Sequence, residues 1–284
     1  MPLSVQLLLI LIMAIFANVK VYFNRRAEID NMAFALKFNA IVFGTVGCAF
    51  LFFLLGKPLS AFTLLLGIIY GVASIVFQVF YVMALEKGPV SIIVLLANFA
   101  TVPAALGGVL LFGEGLRITQ LIGLILTAAS MLLTMKRGDS KKDNKGYFYG
   151  MLAMLASSVA LLIQRYHQKT EFALERNGFL CVAYLSAAIM TAALLLFTGR
   201  RRKKNENKKF AWLGMGAGAA LAVYQFLMIF LAGKTAAMLM YPAVSGFTTI
   251  LNVIMCVAVF KEKISKRQAI GLALGTVAIV IMSI

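Results

Sequence analysis

Uncharged polar side chains carry whatever chemistry this sequence can do within its apolar runs. They are Asn18, Gln78, Tyr81, Asn98 and Thr101 in the first half, and Ser157, Tyr224, Gln225, Tyr241, Ser245 and Asn252 in the second. Amides, phenols and hydroxyls bind a zwitterion, a base or a hydroxylated solute through hydrogen bonds, and leaving them in lipid is costly, so they are expected to face a bundle interior. Gln78 and Gln225 stand at matching places in the two halves and are expected to converge near the middle. Asn18, Tyr81, Asn98, Tyr224, Tyr241 and Ser245 complete the candidate substrate-binding set.

The charged and nucleophilic residues offer less. Glu28, Asp30, Glu86, Glu114, Asp139, Asp143, Glu171, Glu175, Glu206 and Glu262 all fall at the ends of apolar runs, which leaves no mid-membrane acid for proton or cation coupling. His167 is the sole histidine and reads as a solvated loop imidazole beside Arg165 and Lys169. Cys48, Cys181 and Cys256 read as small buried hydrophobes, with no spacing suited to a metal. Neither a nucleophile with its base nor a pair of acids is present, so no catalytic residue, metal or cofactor is expected. Lys20 and Lys37 read as anchors that extend toward the nearest interface.

The elements that must position these groups follow from composition. Hydrophobic residues make up 62% of the 284 positions and charged residues 13%, which places the chain in lipid rather than water. Apolar runs near 3–23, 33–55, 61–85, 89–112, 118–135, 146–164, 178–198, 210–232, 235–259 and 265–284 predict ten transmembrane helices in an all-α membrane protein. Backbone groups in hydrocarbon must bond within their own segment, and no run alternates with period two, so a barrel is excluded. Pro103 and Pro242 lie inside long runs and are expected to kink or hinge them. Gly44, Gly47, Gly107, Gly108, Gly214, Gly216 and Gly218 offer small surfaces for close helix approach. Tyr70, Tyr147, Tyr149 and Trp212 read as interface anchors.

The net charge of +17 does not point to nucleic acid, because the basic residues sit in short connections between apolar runs. Of 27 Lys and Arg residues, 21 lie at alternate connections, and only Lys57, Arg117, Arg165, Lys169, Arg176 and Lys234 lie at the others. That asymmetry predicts a cytoplasmic face on the richer side, with both termini outside. The first run lacks a preceding basic residue and a cleavage site, so it is expected to remain as a span. The basic run 200–204 reads as a topogenic signal, with attraction to anionic lipid as a secondary effect.

Two halves resemble one another. Residues 112–126 match residues 260–274 at seven of fifteen positions, including Glu114 with Glu262 and Gln120 with Gln268, while Gln78 aligns with Gln225. Repeats of five helices, 1–137 and 138–284, have an odd number of crossings, so the second copy is expected to be inverted, an arrangement recurrent in transporters.

Ala84-Leu-Glu-Lys-Gly88, Pro103, Leu111-Phe-Gly-Glu114-Gly-Leu116 and Gln120-Leu-Ile-Gly123 resemble the EamA family of the drug/metabolite transporter superfamily. Tyr241-Pro242, Phe260-Lys-Glu262-Lys-Ile264 and Gln268-Ala-Ile-Gly271 extend the likeness to the second half. The resemblance implies a secondary transporter in which helices 1–4 and 6–9 line a cavity and helices 5 and 10 are peripheral. Two features depart from relatives: the charge count sets both termini outside, and the first helix has no carboxylate for proton exchange. Export of a metabolite or drug is the leading expectation; sugar or nutrient uptake is the alternative, and a non-transporting scaffold or channel is the competing class. Expected partners are a small-molecule substrate and membrane lipid in a bacterial cytoplasmic membrane, with no nucleic acid and a monomeric or homodimeric state.

Overall fold

The computed structural model describes residues 1–27, 32–54, 58–88, 90–115, 117–134, 144–197, 208–259, 261 and 265–283. Glu28, Asp30, Asp139, Asp143, Glu206, Glu262 and the run 200–204 lie outside the described residues, as does the side chain of Cys256. Every regular element among the described residues is helical: α1 (Leu3–Arg26), α2 (Met32–Leu54), α3 (Ala61–Lys87), α4 (Val90–Phe99), α5 (Thr101–Phe112), α6 (Ile118–Thr134), α7 (Asn144–Lys169), α8 (Arg176–Phe197), α9 (Lys208–Ala232), α10 (Ala237–Ala258) and α11 (Lys266–Ser283). A short 3-10 turn, Glu171–Glu175, leads into α8.

Seven described helices are long and apolar enough to cross a membrane: α1, α2, α3, α7, α8, α9 and α10. The fourth apolar run is divided into α4 and α5, while the fifth and tenth form α6 and α11, of 17 and 18 residues. Large apolar side chains face outward along these helices, Leu110 (82% exposed) and Phe197 (88%) among them, and so continuous an apolar exterior suits lipid rather than water.

Local chemistry sets the helix ends. Ser60 caps α3, its Oγ accepting the Thr63 N–H at 3.2 Å. Gly113 closes α5 with φ of 61°, a left-handed conformation that glycine adopts without a Cβ penalty. The matched glutamines have one job: Gln120 Oε1 accepts the Arg117 N–H at 3.2 Å, and Gln268 Oε1 accepts the Ser265 N–H at 3.0 Å. Each sits three residues past the cap and satisfies an N–H that the helix leaves unpaired.

Packing crosses between the halves. α2 packs on α8 and α9, α3 on α7 and α8, α1 on α9 and α10, and α6 on α11. Small residues allow the closest approaches. A Cβ on Gly67 would lie 2.9 Å from Val182 Cγ1, and one on Gly71 would lie 2.8 Å from the Ala183 carbonyl oxygen. A Cβ on Gly214 would lie 2.8 Å from Ile41 Cγ2, and one on Gly218 would lie 2.8 Å from the Val42 carbonyl oxygen. Gly67 and Gly71 thus recur as Gly214 and Gly218 at the same offset of 147 that relates Gln78 to Gln225. Of the glycines expected to pack, Gly44 has nothing within 4 Å, whereas Gly47, Gly107, Gly108 and Gly216 meet Leu185, Leu162, Ala237 and Phe23.

Two cores result. One gathers residues of α2, α3, α8 and α9, the other residues of α1, α5, α9 and α10, and Tyr224 packs against both.

Candidate functional site

α4 and α5 meet at Ala100, a buried residue that keeps helical dihedrals (φ −53°, ψ −25°) while the hydrogen-bond ladder is interrupted around it. Proline at 103 has no N–H to give, so the turn before it cannot be completed as α-helix. The carbonyls at the break take hydroxyl donors. Thr101 Oγ1 donates to Asn98 O at 2.9 Å, Ser245 Oγ lies 3.4 Å from the same oxygen, and Ser158 Oγ lies 2.8 Å from Ala100 O. Thr101 and Ser245 hydroxyls also meet at 3.1 Å. In a lipid-embedded chain an interrupted helix is tolerated where protein or a watery cavity surrounds it. Ser158→Ala removes the α7 donor to Ala100 and is expected to cost about 1 kcal/mol in thermal denaturation of the detergent-solubilised protein. An unchanged transition would mean that Ala104 N–H, 3.3 Å from that carbonyl, satisfies it alone.

A second polar cluster lies between α3, α7, α8 and α9. Gln164 Nε2 donates to Gln225 Oε1 at 3.3 Å, and Gln225 Nε2 donates to the Tyr70 hydroxyl at 3.2 Å. Tyr70 and Tyr184 hydroxyls stand 3.4 Å apart. Tyr224 adjoins Gln225 in sequence and is half-buried, while buried Tyr241 donates to Leu161 O at 3.1 Å. This is a chain of amides and phenols that exchanges donors and acceptors without any formal charge.

One end of the bundle is tied by charge. Glu114, just past α5, receives Arg165 of α7 through Nε at 2.8 Å and through Nη2, and receives the Ala237 N–H of α10 at 2.8 Å. Arg165 also donates to Ala232 O at 3.0 Å and Thr235 O at 2.9 Å, and Lys169 lies 3.5 Å from Glu114. Beside this knot, Glu175 accepts Ser60 Oγ–H at 2.7 Å, and His167 Nε2 meets Thr63 Oγ1 at 3.1 Å. The Gln168 amide nitrogen stands 3.0 Å from His167 Nδ1, so both ring nitrogens of His167 have polar partners.

Several expectations change. His167 is fully buried and stacked on Phe179 at 4.6 Å, not solvated, because α7 continues to Lys169 instead of ending at 164. Arg165, expected in a connection, is 1% exposed. Tyr70 is a buried hydrogen-bonding group rather than an interface anchor, and Cys48 faces outward rather than inward. Pro103 does interrupt its run, whereas α10 passes Pro242 unbroken.

Asn18 is buried, its Nδ2 donating to Ala14 O at 2.8 Å and Thr248 O at 3.1 Å. Tyr81 is half-buried and stacks on Phe77 at 5.5 Å. Asn98 is exposed beside the helix break, and Ser245 is buried against it. Gln225 is committed to Gln164 and Tyr70, while half-buried Gln78 lies eight residues past Tyr70, about 12 Å further along α3. The structure therefore brings Gln225 and Tyr224 together with the overlooked Tyr70, Gln164 and Tyr184. It brings Asn98 together with Ser245 at the broken helix.

Residues 4–136 and 144–284 each match the profile of the EamA-like transporter family. No curated protein matches the sequence. A solved structure, described only as the crystal structure of a protein, aligns with 98% of this chain and 96% of its own at a TM-score of 0.79 and 16% identity, which is a likeness of fold.

Proposed function

The chain belongs to the EamA-like transporter family, and from that premise we propose that it is a secondary transporter that exports a small organic solute by alternating access. In this reading α4 and α5 form one interrupted span, α6 and α11 are peripheral spans, and ten crossings make two inverted five-helix repeats. The observation that carries it is the reciprocal glycine packing. Gly67 and Gly71 of the first half seat α8 of the second, at Val182 and Ala183, and Gly214 and Gly218 of the second half seat α2 of the first, at Ile41 and Val42. Paired interfaces of that kind support two equivalent packings of one bundle, with an opening to either side.

Solute binds between the two cores, at the amide and phenol chain of Gln225, Gln164, Tyr70 and Tyr184, with Tyr224, Tyr241, Gln78 and Tyr81 beside it. Buried Asn18 and Ser245 border the same interior, and Asn98, exposed beside the helix break, lies at its edge. The excess of Lys and Arg at the opposite end sets the Glu114–Arg165 end toward the outside of a bacterial cytoplasmic membrane. The knot of Glu114, Arg165 and Ala237 then holds the outer end shut.

Counterflow in proteoliposomes loaded with amino acids, nucleobases, sugars and drug-like cations tests the reading. Gln225→Leu removes two hydrogen bonds of the cluster and is expected to reduce counterflow of the accepted class about tenfold, while Trp212→Leu on the outer surface leaves it unchanged. Absence of counterflow for every class would remove the transporter reading.

A further inference from the structure

Gly71 holds α3 so close to α8 that a Cβ there would lie 2.8 Å from the Ala183 carbonyl oxygen. One turn further along α3 the branched side chains of Ile75 and Val76 take the place of glycine, and the two helices leave a cleft of about 330 Å³ between them. Val72 and Val76 of α3 face Met190, Ala193, Leu194 and Phe197 of α8 across it. Its lining among the described residues is wholly apolar, and Val72, Val76, Leu194 and Phe197 are exposed, so the cleft opens on the outer surface that suits lipid. Its volume is within the range of small-ligand pockets.

The same face of α3 leads from the cleft to a cation. Val76, Phe80, Met83 and Lys87 follow one another at spacings of four, three and four residues, so they form one stripe along the helix. Lys87 is exposed and lies eleven residues beyond Val76, about 16 Å along the axis, which is close to half of a hydrocarbon core of about 30 Å. Its ammonium stands 5.1 Å from the centre of the Tyr149 ring, which also stacks on Phe80 at 6.1 Å. Exposed Lys145 precedes Tyr149 by one turn at the same end of α7. Glu86 is exposed too, but is set about 100° round the helix from Lys87.

An apolar cleft joined by an apolar stripe to a cation one leaflet away fits a hydrocarbon chain that carries an anion at its end. We propose that the cleft between α3 and α8 binds an acyl chain of an anionic phospholipid, with the lipid phosphate at Lys87. The chain comes from the leaflet on the Lys- and Arg-rich side of the membrane. Lipid tails are as apolar as the cleft lining, so burial of the chain alone selects no lipid over its neighbours. Selectivity comes from charge: the Tyr149 ring positions the Lys87 ammonium for the phosphate, and Lys145 adds a second positive charge at the same interface.

The test is native mass spectrometry of the full-length protein released from detergent with equimolar dioleoylphosphatidylglycerol and dioleoylphosphatidylcholine, alongside melting temperatures with each lipid added to the micelles. The excess of Lys and Arg attracts further anionic lipids, so the readout is the lipid held most tightly. One phosphatidylglycerol per chain is expected to be retained in preference to phosphatidylcholine and to raise the melting temperature. Ala193→Trp fills the cleft with protein and is expected to abolish both effects, while Leu110→Trp, on the outer surface of α5, changes neither. Lys87→Gln, a change at an exposed helix end, is expected to reduce the preference for phosphatidylglycerol about fivefold, the worth of one interfacial charge, and Lys87→Arg to keep it. Equal retention of the two lipids by the parent, or an unchanged preference in either Ala193→Trp or Lys87→Gln, overturns the site. A dimer that Ala193→Trp dissociates overturns it as well, since a second copy of the chain would then fill the cleft. Counterflow bears on the transporter reading alone: a chain that retains phosphatidylglycerol and moves no solute keeps the lipid site and loses transport.

Discussion

Arg165→Met destabilises the protein by about 3–5 kcal/mol, the range expected when one partner of a buried ion pair is removed and the other is left behind. The size follows from what remains. Glu114, itself only 9% exposed, keeps the Ala237 N–H but loses the guanidinium that answered its charge. Lys169 is 3.5 Å away but 42% exposed, and a solvated ammonium compensates little. The carbonyls of Ala232 and Thr235 lose their donors at the same time. Adding Glu114→Gln to Arg165→Met removes the stranded charge, so the double variant is expected to be less destabilised than the sum of the single changes, and it reads out the coupling directly. Arg165→Met within about 1 kcal/mol of the parent would mean that water reaches Glu114 and that the knot does not close this end.

The family and the two halves were legible from the matched polar positions, but the reasons for those matches were not. Gln120 and Gln268 mark the repeat by their register, and the reason for the match is that both cap their helices, α6 and α11, through backbone N–H groups. Arg165 and His167 read as loop residues in the sequence because apolarity stops at 164. Residues 165 to 169 include neither glycine nor proline, however, so no breaker stops α7 from continuing through the charges to Lys169. A charged residue there is affordable only with a partner, and Glu114 lies 51 positions away, a pairing that no local pattern reveals. Tyr70 was hidden in the same way: its hydroxyl is spent on Gln225, 155 residues on, and a lone tyrosine in an apolar run carries no sign of that. The interruption at Ala100 was announced by Pro103, while Pro242 lies in a helix that its neighbours keep continuous.

Gly71→Ala and Gly218→Ala are expected to destabilise the protein by similar amounts, about 1–3 kcal/mol each, as overpacking of a close interface does. At both positions the new Cβ meets a backbone carbonyl at 2.8 Å, from Ala183 in one case and Val42 in the other. Backbone oxygen cannot rotate away as a side chain does, so relief requires α3 to separate from α8, or α9 from α2. The hydroxyl-bearing neighbours Ser186 and Thr45 occupy corresponding places at the two contacts. Gly44→Ala is the control: nothing lies within 4 Å of its Cβ, and the change gains the helix propensity of alanine, so it should be neutral or slightly stabilising. Melting temperatures in detergent measure all three. Counterflow adds a second reading, because an interface that must shift for access to alternate is more sensitive to an added methyl in transport than in stability. If Gly71→Ala were harmless and Gly218→Ala severe, the two contacts would not be equivalent, and the exchange of one half for the other would lose its mechanical basis.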